Sequence, residues 1–129
     1  MNEEVNDLIG YRISKSKECF EEALLLAQYE HWNTVANRLY YSCYYLVNAL
    51  LIKNEIVASS HNGVKTQFHN SFVKKGKVSL ESGKLFNRVF NLRQEGDYID
   101  FQKFKREEIE PFILAVSEFI SEIERIINE

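Results

Sequence analysis

Residues 38–51 read RLYYSCYYLVNALL, and this stretch predicts a helix with two different faces. Together with the residues just before it, it places apolar side chains at steps of three and four, the spacing of one helix face. The expected core stripe consists of Trp32, Val35, Ala36, Leu39, Cys43, Val47 and Leu50. A second line of side chains has the same spacing on another side of the helix and consists of Arg38, Tyr41, Tyr45 and Asn48. Tyr40 and Tyr44 fall between the two faces and are expected mostly to pack.

Helical spacing recurs along nearly the whole chain, and no segment has the alternation of a strand. Asn33 and Ser60 are the expected N-caps of a second and a third helix, which extend to about residues 53 and 74. Gly76 and Gly96 are the expected terminators of the third and fourth helices. Pro111 places the start of the last helix, or a bend in it, near residue 107. The sequence therefore predicts one all-α domain over residues 1–129, an antiparallel up-and-down bundle of four to five helices.

Charge and composition limit the function. The net charge is −3 and the pI is about 5.7, which argues against a general electrostatic grip on nucleic acid. The densest basic segment, KKGK at residues 74–77, is expected to be a solvated helix end. The sequence has no metal-ligand cluster and no glycine-rich phosphate loop, so it predicts neither a metal site nor a cofactor.

Several features favour a cytoplasmic protein. Cys19 and Cys43 lack metal-ligand spacing and are expected to be buried thiols in a reducing compartment. The amino-terminal segment lacks the basic and apolar regions of a signal peptide. The longest apolar run is far shorter than a bilayer span, so no membrane association is expected.

A polar site is predicted where two helical segments meet. An arginine in the middle of a helix beside several aromatic rings requires a carboxylate, a phosphate or solvent. Arg38, with Tyr41 and Tyr45, is therefore expected to face another helix or a ligand. The segment NLRQEGDY, residues 91–98, offers Arg93, Asp97 and a further tyrosine as neighbours. The alternative is that the tyrosines are core and interface residues with their hydroxyls at the edge.

Four segments in this order resemble the HEPN domains, the higher eukaryote and prokaryote nucleotide-binding domains, and in particular their small stand-alone prokaryotic branch. They are ANRLYYSCYYLVNALL, HNGVKTQFHNSFVKKG, LRQEGDY and EFISEIERI, and together they span nearly the whole chain. The resemblance implies a compact helical bundle that often forms homodimers. It also implies one of three roles: a metal-independent endoribonuclease, a toxin neutralised by a nucleotidyltransferase antitoxin, or an inactive binding module.

The catalytic motif of the active relatives is incomplete in this sequence. That motif is an arginine, often with a polar neighbour, followed four to six residues later by a histidine. Arg93 and Gln94 match its start, but EGDYID follows without a histidine. Asp97 is a poor substitute, because an ionised carboxylate is a weak acid and repels the scissile phosphate. His61 is the remaining histidine candidate, since His31 and His69 are expected at the surface.

The resemblance and the missing histidine leave three functions open. The first is a homodimeric module that binds RNA or a nucleotide through Arg38, Tyr41, Tyr45, Arg93 and Tyr98 and acts with a nucleotidyltransferase partner. The second is a divergent ribonuclease toxin that uses Arg93 with His61 or Asp97. The third is a non-catalytic helical dimer that docks a partner protein through its aromatic stripe. Tyr98 occupies the position at which related toxins carry an adenylylated tyrosine.

Overall fold

The structure, a computed structural model, describes residues 2–129, and these residues contain no β-strand. The helices in chain order are α1 (Glu3–Gln28), α2 (Trp32–Lys53), α3 (His61–Phe68), α4 (Leu80–Tyr98), α5 (Arg106–Ile109) and α6 (Pro111–Ile127). A π-helical turn, His69–Val73, continues α3. The prediction of an all-α bundle with four to five substantial helices is confirmed, because α5 is a single turn.

Helix α2 is the centre of the bundle, and α1, α3, α4, α5 and α6 all pack against it. The predicted core stripe is correct, since all seven of its side chains are buried. The strongly apolar face of α6 covers the same core through Phe112, Val116, Phe119, Ile123 and Ile127. Cys19 and Cys43 are buried free thiols, as predicted. In this arrangement Arg38, Tyr41, Tyr45 and Asn48 of α2 lie at the edge of the core, next to α1, α3 and α4.

Two buried serines bring α1 and α2 close together. The Ser16 hydroxyl donates to the Ser42 carbonyl at 2.7 Å, and the Ser42 hydroxyl donates to the Ser16 carbonyl at 2.8 Å. Both residues are fully buried. Small side chains allow the helix backbones to approach each other here, and the two hydrogen bonds satisfy hydroxyls that would otherwise be costly to bury.

The predicted helix boundaries are wrong at two places. Asn33 is not the N-cap of α2, because His31 occupies that position and the helix begins at Trp32, two residues earlier than predicted. Asn33 instead bonds a distant segment: its Oδ1 accepts from the Phe104 backbone N–H at 2.8 Å, and its Nδ2 donates to the Gln102 carbonyl at 2.8 Å. Gly96 does not end α4, which continues to Tyr98. A β-carbon on Gly96 would lie 3.0 Å from the Phe104 ring, so this glycine serves a close contact.

Other boundary predictions agree with the structure. Ser60 caps α3, accepting from the Gly63 N–H at 2.9 Å. Gly76 follows the π-helical turn with φ of +74°, a left-handed conformation that glycine adopts without strain. Pro111 is the first residue of α6, directly after the separate turn α5, so the carboxy-terminal helical region is broken at Glu110.

The prediction that His69 lies at the surface is wrong, because this residue is half-buried. The π-helical turn packs against α4, which places His69 Nε2 2.9 Å from Asn87 Oδ1. Among residues 2–129, no helix combines the length and the apolar character that a bilayer crossing requires.

Candidate functional site

The predicted polar site forms where the middle of α2, the start of α3 and the end of α4 meet. The core face of α4 contains Phe86, Val89 and Phe90, and one further step of three or four along this face reaches Arg93. Arg93 is therefore the only charged residue that is buried in residues 2–129, with 5% of its surface exposed. Helical geometry places a guanidinium where an apolar side chain is expected.

Aromatic rings surround the Arg93 guanidinium. Its carbon lies 5.0 Å from the ring centre of Tyr40, 5.7 Å from that of Tyr41 and 5.5 Å from that of Tyr98. Nη1 donates to the Tyr98 hydroxyl at 3.2 Å, whereas Nε is buried without a hydrogen-bond partner. The faces of the rings stabilise the cation, but they satisfy few of its five donors. The arginine therefore retains capacity to bind an anion.

Asp97 provides the nearest carboxylate to Arg93, but the contact is long. Its Oδ2 lies 4.0 Å from Arg93 Nη1 and accepts from Asn37 Nδ2 at 2.9 Å. Asn37 Oδ1 in turn accepts from Arg38, at 3.0 Å from Nε and 2.7 Å from Nη2. Asn37 thus links the arginine of α2 to the carboxylate of α4. Asn37 lies in the segment ANRLYYSCYYLVNALL that resembles the family, but it was not among the predicted site residues.

Arg38 and Arg93 approach the same ring, as the predicted site requires. The Arg38 guanidinium carbon lies 5.4 Å from the Tyr41 ring centre, and that of Arg93 lies 5.7 Å from it. Arg38 also forms an ion pair of 3.2 Å with Glu22 on α1. Glu22 was missed in the sequence because only the packing of α1 on α2 brings it to this point.

His61, at the start of α3, joins the cluster through Tyr40 and Tyr44. Its Nδ1 lies 2.7 Å from the Tyr40 hydroxyl, and its ring stacks on Tyr44 with centroids 4.5 Å apart. Partial burial, together with the positive charge of Arg93, lowers the pKa of His61 below its ordinary value. Burial also raises the pKa of Tyr40, so its phenol stays protonated at neutral pH. The imidazole is therefore held neutral beside an aromatic hydroxyl.

The remaining predicted residues occupy the outer part of the site. Tyr98 is 71% exposed, while Tyr41 and Tyr45 are half-buried, with ring centroids 6.0 Å apart. Tyr45 contacts a further cation, Arg12 of α1, which the sequence did not identify as a site residue. The expectation that Tyr44 mainly packs is only partly correct, because this ring also lines a groove beside Arg12.

The chemical groups of this cluster suit an anion. The described part of the chain has no group of three or more His, Cys, Asp or Glu residues arranged to hold a metal ion. The cluster provides guanidinium donors, aromatic faces, phenol hydroxyls and one neutral imidazole. These groups bind phosphates and stack on nucleobases.

Comparison with known proteins identifies the family. The sequence model of the HEPN domain matches residues 9–126. The chain belongs to the HEPN domain family. A "UPF0332 protein" of Thermotoga maritima is 37% identical over 129 residues, which cover 100% of this chain and 97% of the relative. "Putative toxin MJ0142" of Methanocaldococcus jannaschii is 34% identical over 98 residues, which cover 76% of this chain and 67% of the relative.

Arg93, the residue that the sequence resemblance matches to the motif arginine, lies on the buried face of α4, and residues 97–100 contain no histidine. The nearest imidazole in the cluster comes from α3 instead. HEPN membership thus agrees with the fold and with the resemblance described from the sequence.

Proposed function

We propose that this HEPN protein binds single-stranded RNA or a nucleotide at the Arg93 cluster, with the phosphate on Arg93 and Arg38 and a base against Tyr41 or Tyr98. The observation that carries the proposal is the Arg93 guanidinium, buried among three rings with an unpartnered Nε and a carboxylate no closer than 4.0 Å. A phosphate can offer Arg93 a shorter, charge-assisted contact than Asp97 does. Base stacking on the exposed Tyr98 ring would add about 1–3 kcal/mol.

Fluorescence anisotropy with labelled RNA, at two salt concentrations and without metal, tests this proposal. Arg93→Gln is expected to weaken binding at least tenfold, since a hydrogen bond to a charged group contributes about 1.5–3 kcal/mol. Arg88→Gln is the matched control, because it removes the same charge from an exposed position on α4 where the guanidinium contacts Phe112. Equal affinities for wild type and Arg93→Gln would refute the proposal.

A ribonuclease is the second candidate, and the neutral His61 favours it. In metal-free cleavage, a base removes the 2′-hydroxyl proton, O2′ attacks phosphorus, and the 5′-oxygen leaves with a proton. His61 Nε2 is the candidate base, and the Tyr98 hydroxyl on Arg93 is the candidate proton donor. Cleavage of RNA in the presence of a chelator, lost in both His61→Ala and Arg93→Ala, is the expected result. Intact RNA after long incubation with the wild-type protein would exclude this candidate.

A toxin–antitoxin setting gives Tyr98 a further role. The Tyr98 side chain is 71% exposed, so a partner nucleotidyltransferase can approach it and transfer AMP from ATP to the phenol oxygen with release of pyrophosphate. Intact-mass measurement after co-expression with an adjacent nucleotidyltransferase is expected to show one added AMP, absent in Tyr98→Phe. If AMP is still added to the Tyr98→Phe variant, another residue is the acceptor and the assignment of Tyr98 is wrong.

Self-association is proposed at the exposed apolar end of the site. Tyr98, Ile99 and Phe101 are 71%, 55% and 103% exposed, respectively. Adjacent apolar side chains at this exposure are typical of an interaction surface. A second copy would bring a second Arg93 cluster near the first. Sedimentation is expected to report a dimer that Phe101→Asp dissociates, and a monomeric wild-type protein would contradict the assignment.

A further inference from the structure

A separate groove lies beside the Arg93 cluster, on the other side of Tyr44. It has a volume of about 650 Å³ and is formed by the first turns of α1, the second half of α2 and the connection at residues 54–60. Its apolar walls are Val5, Leu51, Ile52, Ile56, Val57 and Ala58. This volume falls within the range of small-molecule sites. We refer to it as the Arg12 groove, after the arginine that lines it.

Arg12 differs from the other arginines of this region in having no acidic partner. Arg38 pairs with Glu22, and Arg93 has Asp97 at 4.0 Å, but no carboxylate of residues 2–129 lies within ion-pair distance of Arg12. Its Nε is buried without a hydrogen-bond partner. Because the Arg12 side chain lines the open groove, an anionic ligand there can accept hydrogen bonds from the terminal guanidinium nitrogens.

Aromatic rings accompany Arg12 as they accompany Arg93. The Arg12 guanidinium carbon lies 5.7 Å from the Tyr45 ring centre. Arg12 and Tyr44 line the same groove, and the positive charge of Arg12 opposes the rise that burial causes in the pKa of Tyr44. Each end of the tyrosine segment of α2 thus has an arginine in contact with its rings.

The two arginine sites are connected along α2. Tyr41 contacts both Arg38 and Arg93, and its ring lies 6.0 Å from that of Tyr45. Four helical residues span about 6 Å along the axis, so consecutive turns of α2 present consecutive rings. Alternating cations and rings along a surface are the pattern by which proteins hold single-stranded nucleic acid.

We infer that the Arg12 groove is a second RNA subsite, in which Arg12 binds a phosphate and the groove receives the attached base. This inference rests on the proposed function, because the strand reaches the groove from the Arg93 cluster past Tyr41 and Tyr45. Glu55, at the groove and exposed, disfavours a second phosphate there. Its carboxylate and the Asn48 amide can instead bind the polar edge of a base.

RNA length separates this inference from the proposed function. A dinucleotide can occupy the Arg93 cluster alone, whereas a decanucleotide can reach both sites. Arg12→Gln is expected to weaken decanucleotide binding about tenfold, to leave dinucleotide binding unchanged, and to reduce the salt-dependence slope by about 0.7, the value for one phosphate contact on a single strand. Lys17→Gln is the matched control, since Lys17 is an exposed cation of α1 paired with Glu124.

Two more variants keep the test decisive. Arg12→Lys retains the charge and is expected to retain most of the decanucleotide affinity. Val57→Asp changes a groove residue that is 92% exposed, so the fold is preserved while a charge enters the base site. It is expected to weaken the decanucleotide complex selectively.

The outcomes are distinguishable. If the wild-type protein binds neither RNA, the proposed function fails and the inference fails with it. If it binds both RNAs, and Arg12→Gln and Val57→Asp match the wild type, the proposed function stands and the groove is not an RNA subsite. Loss of self-association in Arg12→Gln with unchanged RNA affinity would overturn the inference and assign Arg12 to a protein contact.

Discussion

Replacing Asn33 with alanine tests how the segment that follows Tyr98 is held in place. The Asn33 side chain makes two hydrogen bonds of 2.8 Å, accepting from the Phe104 N–H and donating to the Gln102 carbonyl. Both partners belong to the connection between α4 and α5, which has no regular secondary structure of its own. Asn33 is therefore the main polar link between this connection and α2.

The expected loss of stability can be worked out by two routes. If the connection stays in place in Asn33→Ala, an unpaired N–H beside the buried Phe104 costs about 1–3 kcal/mol, and the lost bond to Gln102 adds about 1 kcal/mol. If the connection detaches, the Phe104 ring leaves the core, which costs about 1.5–3 kcal/mol. The first route gives a decrease of about 2–4 kcal/mol in the free energy of unfolding and the second about 1.5–3 kcal/mol, so the two agree at about 2–3 kcal/mol.

Urea denaturation followed by far-UV circular dichroism measures this change. Asn33→Asp keeps the acceptor for Phe104 but removes the donor to Gln102, so about half of the loss is expected. Thr34→Ala is the control, because Thr34 is exposed on the next position of α2 and its replacement is expected to change stability by less than about 0.5 kcal/mol. An Asn33→Ala protein within about 0.5 kcal/mol of wild type would refute the reasoning.

Two further predictions concern titrating groups. Burial would raise the pKa of Glu122, but hydrogen bonds from Ser82 and from the N–H and hydroxyl of Ser79 hold it below the ordinary value. The resulting stabilisation is present above the unfolded-state pKa of Glu122 and is lost as the pH falls through its folded-state pKa. Glu122→Gln is therefore expected to make the free energy of unfolding, measured by urea denaturation, depend less on pH between neutral and acidic pH. His61, whose pKa is lowered by burial and by Arg93, is expected to titrate by NMR below its ordinary value and to move toward it in Arg93→Gln; an unchanged midpoint would contradict the charge coupling. Because a depressed histidine pKa favours the neutral native form, this contribution to stability is present above the unfolded-state pKa and declines as the pH falls below it.

The core was predictable because it depends on periodicity within single helices. The stripe of α2 and the convergence of Arg38 with Arg93 follow from spacing and from the family resemblance. Positions whose role depends on a distant partner were not predictable. Asn33 has the chemistry of an N-cap, and its actual partner Phe104 is 71 residues away in the sequence. Gly96 has the chemistry of a terminator but serves a close contact with the same phenylalanine.

The site was predicted only in part, for a related reason. Asn37, Arg93 and Tyr98 lie in segments that carry the family resemblance, whereas Glu22 and Arg12 do not and are brought in by helix packing. Arg12 follows Gly10 and Tyr11 on a helix whose apolar pattern is weak at its start, so its sequence neighbours do not mark it as a binding residue. The packing of α1 on α2 is what places it against Tyr45.

The reciprocal serine bonds between α1 and α2 have a consequence for this placement. Each bond joins a hydroxyl of one helix to a carbonyl of the other, so sliding either helix by one residue, about 1.5 Å, would break both at once. The axial alignment of the two helices is thereby locked at Ser16, one helical turn from Arg12. These two hydrogen bonds, which involve neither Arg12 nor Tyr45, thus help to hold the Arg12 charge at its distance from the Tyr45 ring.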